Sequence, residues 1–252
     1  MKSLIVADIH ANLAAFEAIL DREGSWDTFI FLGDAVMAGP NPDEVLSLLL
    51  SLNGIYIMGN HDQEVLELDP DADVTNLHRK WAQWHQKNIS RANLDFLAEF
   101  QDSCAVENQG LTMKLTHGCI PREMGRRLWP DSSAETFAFL ASQHSEPYIL
   151  VAHSHVQFRK THHDKTFVNP GSAGAPYLGQ PLACYAVIQD GHFALKATSY
   201  DAEKTCQTME DRARGIMEEA FIEDWKECWR TGLLPDRYFI RDYTPLREQG
   251  YR

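Results

Sequence analysis

The chain has 252 residues, of which 44% are hydrophobic and 10% aromatic, so it is long enough for one large globular domain or two small ones. Its formal net charge of -13 argues against a basic face that grips phosphates, and we expect no long nucleic-acid partner. No apolar run approaches the length of a membrane span and the apolar N-terminal run is too short for a signal peptide, so we expect a cytoplasmic protein without a membrane partner.

Apolar runs and amphipathic stretches alternate along the N-terminal quarter of the chain. Strands are predicted over residues 3–8, 28–34 and 55–58, and helices over residues 11–24 and 41–54. In the second helix, Asn41 is placed to cap the first turn, with Pro42 inside that turn and Glu44 completing a capping pattern. The strand–helix–strand–helix–strand order predicts a parallel sheet with right-handed crossover connections.

The middle of the chain predicts a second set of strands and helices. Helices are predicted over residues 76–100 and 132–142, a hairpin around 108–110, and later strands in "YILVAHSH", "TFVNPGS" and "LACYAVIQDGHFALKATS", with a turn at 190–191 in the last of these. The helix over 132–142 is expected to open with a capping box from Ser132 to Glu135.

The C-terminal tail carries apolar residues at helical spacing. One amphipathic helix is expected from Asp201 toward Trp229, ending at Gly232. We predict one α/β domain with two sheets over residues 1–200. A helical extension over residues 201–252 is expected to pack on that domain or on a second subunit, which leaves a homo-oligomer open.

Polar side chains follow each of five predicted strands. They are Asp8 and His10, Asp34, the run Asn60-His61-Asp62, His117, and the pair His153 and His155. In an open α/β sheet, ligands lie beyond the carboxyl ends of the strands, so we expect these side chains to converge on one edge.

The residue types suit a site for two metal ions. Carboxylate, amide and imidazole groups offer mixed oxygen and nitrogen ligands, which favour manganese, iron, zinc or magnesium over a thiolate site. If the segments 8–10 and 153–155 are extended, alternate side chains point the same way, and each motif offers two ligands to one centre. Glycines at 33, 59 and 118 allow the backbone to turn sharply close to the metals.

Together these motifs carry a family resemblance. "DIHANL", "GDAVMAGPNPDEV", "GNHD", "KWAQWHQKNIS", "THG" and "VNPGSAGAP" resemble the signature of calcineurin-like metallophosphoesterases over residues 1 to about 195. The finer features resemble the small bacterial and archaeal phosphodiesterase branch related to diadenosine tetraphosphatases. The resemblance implies a four-layer α/β/β/α sandwich of two mixed sheets flanked by helices.

The resemblance also implies a ligand set for each of two divalent ions. One ion would be bound by Asp8, His10, Asp34 and His155, and the other by Asp34, Asn60, His117 and His153, with Asp34 bridging. Manganese is the first choice, with iron, zinc, nickel or magnesium as alternatives. Ala11 and Ala152 stand where the family usually has glycine, and Met37-Ala38 stands where a Gly-Tyr pair is common. The last departure puts the substrate preference in doubt.

Two such ions, about 3.5–4 Å apart, clamp a phosphoryl group and hold a hydroxide that attacks phosphorus. In the family, the position of His61 stabilises the transition state or protonates the leaving alkoxide, so we expect a catalytic role for it. We expect Asp62 to orient the His61 ring as its carboxylate partner. A helix-capping role for Asp62 is the alternative.

Three groups of residues are candidates for substrate contacts. Asn12 is placed to touch a phosphate oxygen or, equally, to cap the first helix. Arg122 and Arg126, with the neighbouring Arg127, are candidates for drawing in an anion, and a solvated loop is the alternative. The aromatic residues Trp81, Trp84 and His85 suit stacking on a nucleobase or, for at least one tryptophan, packing in the core.

The leading hypothesis is therefore a metal-dependent enzyme that hydrolyses a small phosphodiester or nucleotide. A phosphomonoesterase or phosphoprotein phosphatase that uses the same metals is the alternative enzyme. A non-catalytic metal-binding scaffold is the alternative outside enzymes. A scaffold can lose metal-binding residues or the catalytic histidine, and the presence of all of them in this sequence counts against that alternative.

Overall fold

The computed structural model of the chain describes residues 1–118, 127–234, 238 and 241–252. The strands, in chain order, are β1 Lys2–Val6, β2 Thr28–Phe31, β3 Gly54–Tyr56, β4 Ser103–Asn108, β5 Leu111–Thr116, β6 Tyr148–Leu150, β7 Phe158–His162, β8 Lys165–Asn169, β9 Ala183–Gln189 and β10 His192–Thr198. The helices are α1 Leu13–Glu23, α2 Pro42–Ser51, α3 Asn60–Glu67, α4 Leu77–Lys87, α5 Arg91–Ala98, α6 Ala134–Ser142, α7 Ala202–Ala213, α8 Glu219–Thr231 and α9 Thr244–Glu248. None of the helices in the described part of the chain is long and apolar enough to cross a membrane.

The strands form two mixed five-stranded sheets, in the orders β10-β9-β1-β2-β3 and β4-β5-β6-β8-β7. In the first sheet, β1, β2 and β3 are parallel and in register, so all three end at the same edge. In the second, β5, β6 and β8 are parallel, with β4 and β7 antiparallel at the edges. The predicted parallel sheet is therefore confirmed, and its strand ends set the position of the site.

The alternation of side chains along β1 shows how the layers pack. Ile5 points to a buried cluster shared with Met113 and Leu150 of the second sheet, so the two sheets face one another. Leu4, on the opposite face of β1, packs in a second cluster with Phe16 of α1. The expected four-layer α/β/β/α sandwich is confirmed.

Two predicted helix starts differ in detail. Asn41 precedes α2 as expected, but its side chain makes no capping hydrogen bond, and the Glu44 carboxylate pairs with Arg212 of α7 instead. The cap of α6 is Ser133, whose hydroxyl accepts from the Thr136 amide. The predicted cap, Ser132, instead accepts from the amide of Trp129, because its side chain closes the turn before the helix.

Two long predicted helices are each broken in two, and one strand was not predicted. Residues 76–100 form α4 and α5, because Ser90 starts a new helix by accepting from the Asn93 amide. The tail forms α7 and α8, separated at Gly215, which has a φ of +76°. The missed strand, β7, alternates exposed and buried positions at the sheet edge.

The C-terminal segment shares the core of the rest of the chain. Met209 of α7 and Trp229 of α8 lie in the same buried cluster as Phe16 of α1. The Trp229 indole N–H donates to the carbonyl of Gly174 at 3.1 Å. We propose that residues 201–252 fold as one unit with residues 1–200.

Replacing Trp229 tests this proposal. Trp229 is fully buried, so Trp229→Ala removes a large packed side chain and one of the two donors to the Gly174 carbonyl, the other being the Asn12 amide. We expect the free energy of unfolding to fall by about 3–5 kcal/mol, measured by denaturant titration. Phe139→Ala, at an exposed aromatic on α6, is the control and should change stability little. A Trp229 variant as stable as the control would contradict a shared core.

Candidate metal centre

The backbone at the strand ends adopts a conformation that L-amino acids rarely take. Five of the residues predicted to bind metals have positive φ angles: Asp8 (51°), His10 (49°), Asp34 (61°), His153 (64°) and His155 (60°). Each such residue costs about 1–3 kcal/mol and persists only where the surrounding structure holds it. Strain concentrated at these positions points to function.

The left-handed backbone corrects one prediction. The segments 8–10 and 153–155 are not extended, so alternate side chains do not share a face by the strand rule. Asp8 and His10 still reach the same ligand group. His153 and His155 separate into two different groups, as the family resemblance implies.

Two glycines allow the second and third strand ends to touch. Gly33 has a φ of +95°, and a Cβ there would lie 2.7 Å from the Gly59 nitrogen. Gly59 has an ordinary φ of −87°, so it is needed for space rather than for the turn. A Cβ on Gly59 would lie 2.1 Å from Asp34 Oδ1. The close approach of these two loops places Asp34 beside Asn60.

The first ligand group consists of Asp8, His10 and His155, all buried. The His10 and His155 Nε2 atoms lie 3.1 Å apart. Asp8 Oδ1 lies 3.5 Å from His155 Nε2 and 4.0 Å from His10 Nε2. Three ligand atoms thus converge on one point.

The second ligand group consists of Asp34, His117 and His153, also buried, with Asn60 beside it. His117 Nε2 lies 3.2 Å from each of three atoms: Asp34 Oδ2, Asn60 Oδ1 and His153 Nδ1. Asp34 Oδ2 is also 3.8 Å from His10 Nε2, so the same oxygen faces both groups.

Each carboxylate has one satisfied oxygen and one without a partner. Asp8 Oδ2 accepts from the His153 amide, and Asp34 Oδ1 accepts from the His61 amide. Asp8 Oδ1 and Asp34 Oδ2 are buried without a hydrogen-bond donor in the described structure. A buried carboxylate oxygen without a donor is costly, and a cation would satisfy both atoms.

Hydrogen bonds fix the orientation of three imidazoles. The Nδ1 atoms of His10, His117 and His155 lie 3.2, 2.7 and 2.7 Å from the carbonyls of Val36, Leu32 and Ala175. An Nδ1–H that donates to a carbonyl leaves the Nε2 lone pair facing the centre, as in many metal sites.

Burial sets the charge of these groups. It lowers the pKa of His10 to about 3 and of His153 to about 2, so both rings are neutral and able to bind a cation. Burial also raises the pKa of Asp8 above its usual range. At His117, burial is outweighed by the nearby Asp34 carboxylate, which raises the imidazole pKa to about 9, so this ring is protonated when no cation is bound and a metal ion would replace that proton. The residues fit two cations of a metal that accepts oxygen and nitrogen ligands.

The predicted role of Asp62 is not what the structure shows. Its carboxylate accepts from the amides of Asp34 (2.8 Å), Ala35 (2.8 Å) and Gly59 (2.9 Å), and it makes no contact with the His61 ring. The alternative, a capping carboxylate, is therefore correct, because folding brings free amides closer to Asp62 than the imidazole. Asp62 holds the metal-binding loops together.

His61 has a different carboxylate neighbour. Glu64 Oε2 lies 3.4 Å from His61 Nδ1 and 2.7 Å from His78 Nε2. The sequence analysis predicted neither neighbour. Glu64 could have been found, because it follows His61 by three residues on a helix and so shares its face. His78 comes from α4 and carries no such signal.

The other predicted contacts have mixed outcomes. Asn12 is fully buried, and its Oδ1 caps α1 through the Ala15 amide and accepts from the Thr205 hydroxyl, which favours capping over substrate contact. Arg122 and Arg126 lie outside the described residues. Arg127, the third member of that trio, donates to the His153 carbonyl at 3.2 Å.

The aromatic residues of α4 pack in the core and support the loop at residues 37–38. Trp81 is buried, stacks on Trp84 at 4.4 Å, and donates its indole N–H to the Ala38 carbonyl. His85 is fully buried and accepts from the Met37 amide. Met37 and Ala38 have positive φ angles of 71° and 59°, so α4 supports a strained loop beside the site.

A pocket opens directly on the candidate metal centre. His10, His61 and His78 line one end of it, and Met37 and Ala38 line its side. The opposite end is aromatic and apolar, with Trp81 joined by Phe221, Trp225, Leu234 and Tyr238 from the C-terminal segment. We refer to this space as the aromatic pocket. The sequence analysis did not predict the C-terminal contribution.

The fold and the paired ligand groups define a metal-dependent phosphoesterase architecture. The sequence model of the calcineurin-like phosphoesterase superfamily domain matches residues 1–190. The chain belongs to this superfamily, as its motifs indicated.

Individual proteins resemble the chain over most of its length. Uncharacterized protein MJ0912 of Methanocaldococcus jannaschii is 29% identical over 227 residues, covering 81% of this chain and 90% of that protein. A metallophosphoesterase from Sphaerobacter thermophilus has a TM-score of 0.77 at 22% identity, over 92% of this chain and 99% of its own. Protein PH1004 of Pyrococcus horikoshii OT3 has a TM-score of 0.76 at 19% identity, over 92% and 98% of the two chains. At these identities the two structures establish the shared fold.

Removing Asp34 tests whether one carboxylate serves both ligand groups. Because Asp34 Oδ2 faces both, Asp34→Ala should lose more than one ion, whereas a variant of one group alone should lose one. After dialysis against Mn²⁺, we expect about two ions per chain in the native protein and fewer than one in Asp34→Ala, by elemental mass spectrometry. Asp164→Ala, at an exposed carboxylate, is the control. Full occupancy in Asp34→Ala would contradict a shared ligand.

Proposed function

We propose that the protein is a dinuclear metal-dependent phosphoesterase that hydrolyses a small phosphodiester or nucleotide. One observation carries the proposal: the buried Asp34 Oδ2 faces two groups of ligand atoms at once, 3.8 Å from His10 Nε2 and 3.2 Å from His117 Nε2. A carboxylate oxygen placed in this way can serve two cations, and paired cations are suited to phosphoryl transfer.

The proposed ligands divide between the two ions. Asp8, His10, Asp34 and His155 would hold one, and Asp34, Asn60, His117 and His153 would hold the other. Manganese is the first candidate, because carboxylate, amide and imidazole ligands suit it, and iron, zinc, nickel and magnesium are the alternatives. When bound, the pair supplies positive charge to the phosphoryl oxygens and acidifies a water molecule.

His61 is the proposed proton donor to the leaving group. It lines the pocket next to His10, with ring centroids 5.4 Å apart, so it borders the proposed ions without belonging to either ligand group. Burial opposes its protonation, but the Asp34 and Glu64 carboxylates outweigh burial and raise its pKa. A protonated imidazole at this position can pass a proton to a departing alkoxide.

Glu64 is the proposed positioning residue for His61. Its carboxylate lies 3.4 Å from His61 Nδ1, which restrains rotation of the ring. The His78 contact at 2.7 Å restrains Glu64 in turn. Glu64 therefore acts through His61 rather than on the substrate.

Hydrolysis of bis-p-nitrophenyl phosphate is the direct test of the proposed function. We expect turnover that requires added Mn²⁺, stops with EDTA and is lost in Asp34→Ala, because that residue serves both ligand groups. Asp164→Ala should retain it. A folded protein without turnover on any divalent metal would shift the assignment to a phosphomonoesterase or to a scaffold, and p-nitrophenyl phosphate would separate these two.

The leaving group tests the role of His61. An alkoxide needs a proton to depart and p-nitrophenolate does not, so His61→Ala should slow an alkyl diester by about 10²–10⁴ and the nitrophenyl diester much less. Glu64→Gln should show the same selectivity with a smaller loss. His192→Ala, at an exposed imidazole on β10, is the matched control. Equal losses on both substrates in His61→Ala would contradict proton donation.

A further inference from the structure

The two ends of the aromatic pocket differ in chemistry. At one end His61 and His78 lie with ring centroids 5.4 Å apart, beside His10 of the candidate metal centre. At the other end, Phe221 contacts Trp81 edge-on at 5.8 Å, and the rings of Trp225 and Tyr238 are tilted by 35° with centroids 5.6 Å apart. A phosphate ester entering the pocket would therefore place its phosphate at the histidine end and its organic group among aromatic rings.

The apolar end is built by a segment beyond the matched family domain. The family model ends at residue 190, whereas Phe221 and Trp225 belong to α8, and Leu234 and Tyr238 follow it. Trp225 is 8% exposed and Phe221 is 3% exposed, so both rings are fixed by packing. Fixed aromatic walls recognise a flat ring at low entropic cost.

Permanent charge is absent from the pocket lining in the described part of the chain. Of the residues that line it there, none is lysine, arginine, aspartate or glutamate. The described lining therefore offers apolar and aromatic surface, rather than charge, to the organic group.

Trp225 contributes apolar ring surface to the pocket. It lines the apolar end, and its indole Nε1 is buried out of contact with solvent, so the ring carbons are the part of Trp225 that a bound group can meet.

We infer that the C-terminal segment gives the enzyme its substrate selectivity. The pocket takes a phosphate ester whose organic group is a flat aromatic ring, and Trp225 is the residue that recognises that ring. This inference rests on the proposed function, because the metal centre must hold the phosphate end.

Binding of three phosphonates to the Mn²⁺-loaded protein, measured by calorimetry, tests the inference without relying on turnover. Methylphosphonate probes the metal centre alone, cyclohexylphosphonate adds an apolar group that is not flat, and phenylphosphonate adds a flat ring. We expect the phenyl compound to bind about tenfold tighter than the methyl compound, because it buries apolar surface. The cyclohexyl compound should bind about threefold more weakly than the phenyl compound, because it cannot stack on the aromatic walls.

Two variants at one position test the ring contact. Trp225→Leu should reduce the phenyl-over-methyl preference to about twofold. Trp225→Phe should reduce it to about fivefold, because a smaller ring offers less apolar surface. Trp225→Phe retains an aromatic ring and decides the test if Trp225→Leu does not fold. Methylphosphonate binding should be unchanged in both variants, and Phe139→Ala should match the native protein throughout.

Each contradicting binding result would overturn a different part of the argument. Tight and equal binding of the methyl and phenyl compounds would overturn the inferred pocket and leave the proposed function standing. A preference for the phenyl compound that survives undiminished in both Trp225 variants would overturn the role of Trp225. Absence of binding of all three compounds in the Mn²⁺-loaded protein would overturn the proposed function, and the inference with it.

Discussion

The carboxylate of Asp34 is the group on which the site depends. Its Oδ1 accepts from the amide of His61, which ties the end of β2 to the start of α3. Its Oδ2 is left facing His10 on one side and His117 on the other. Two ligand groups from two sheets can share an oxygen only if both sheets end at one edge. The registers of the parallel strands produce that arrangement.

Holding Asp34 there requires strained backbone and the means to support it. Asp8, His10 and Asp34 all have positive φ angles. The support is backbone pairing between the first two strand ends, in which the Asp8 amide donates to Gly33 and the His10 amide donates to Asp34. The Asp62 carboxylate also accepts hydrogen bonds from the amides of Asp34, Ala35 and Val36. The site is therefore organised by the fold before any ion binds, as expected for a preorganised metal centre.

Features that follow from a general rule of the fold could be predicted from the sequence, whereas features that depend on contacts between distant residues could not. Strand ends converge by a general rule of parallel sheets, so the grouping of Asp8, Asp34 and His117 was predictable. The role of Asp62 was not, because a carboxylate bonds to whichever donors folding brings close, and here these are amides of a distant loop. The break at Gly215 was missed because the apolar period continues across it. Trp225 at the pocket depends on how two helices dock, which periodicity does not encode.

The two ends of the aromatic pocket are built from different parts of the chain. The two ligand groups come from the loops after the parallel strands, where strain and burial leave little freedom to vary. The aromatic end comes from α8 and the residues after it, which pack on the core through Trp229. There the rings of Phe221 and Trp225 contact Trp81, Trp229 and Tyr238. In the proposed enzyme, side chains at this end could therefore differ in size without moving Asp34, and one reactive centre could serve different esters.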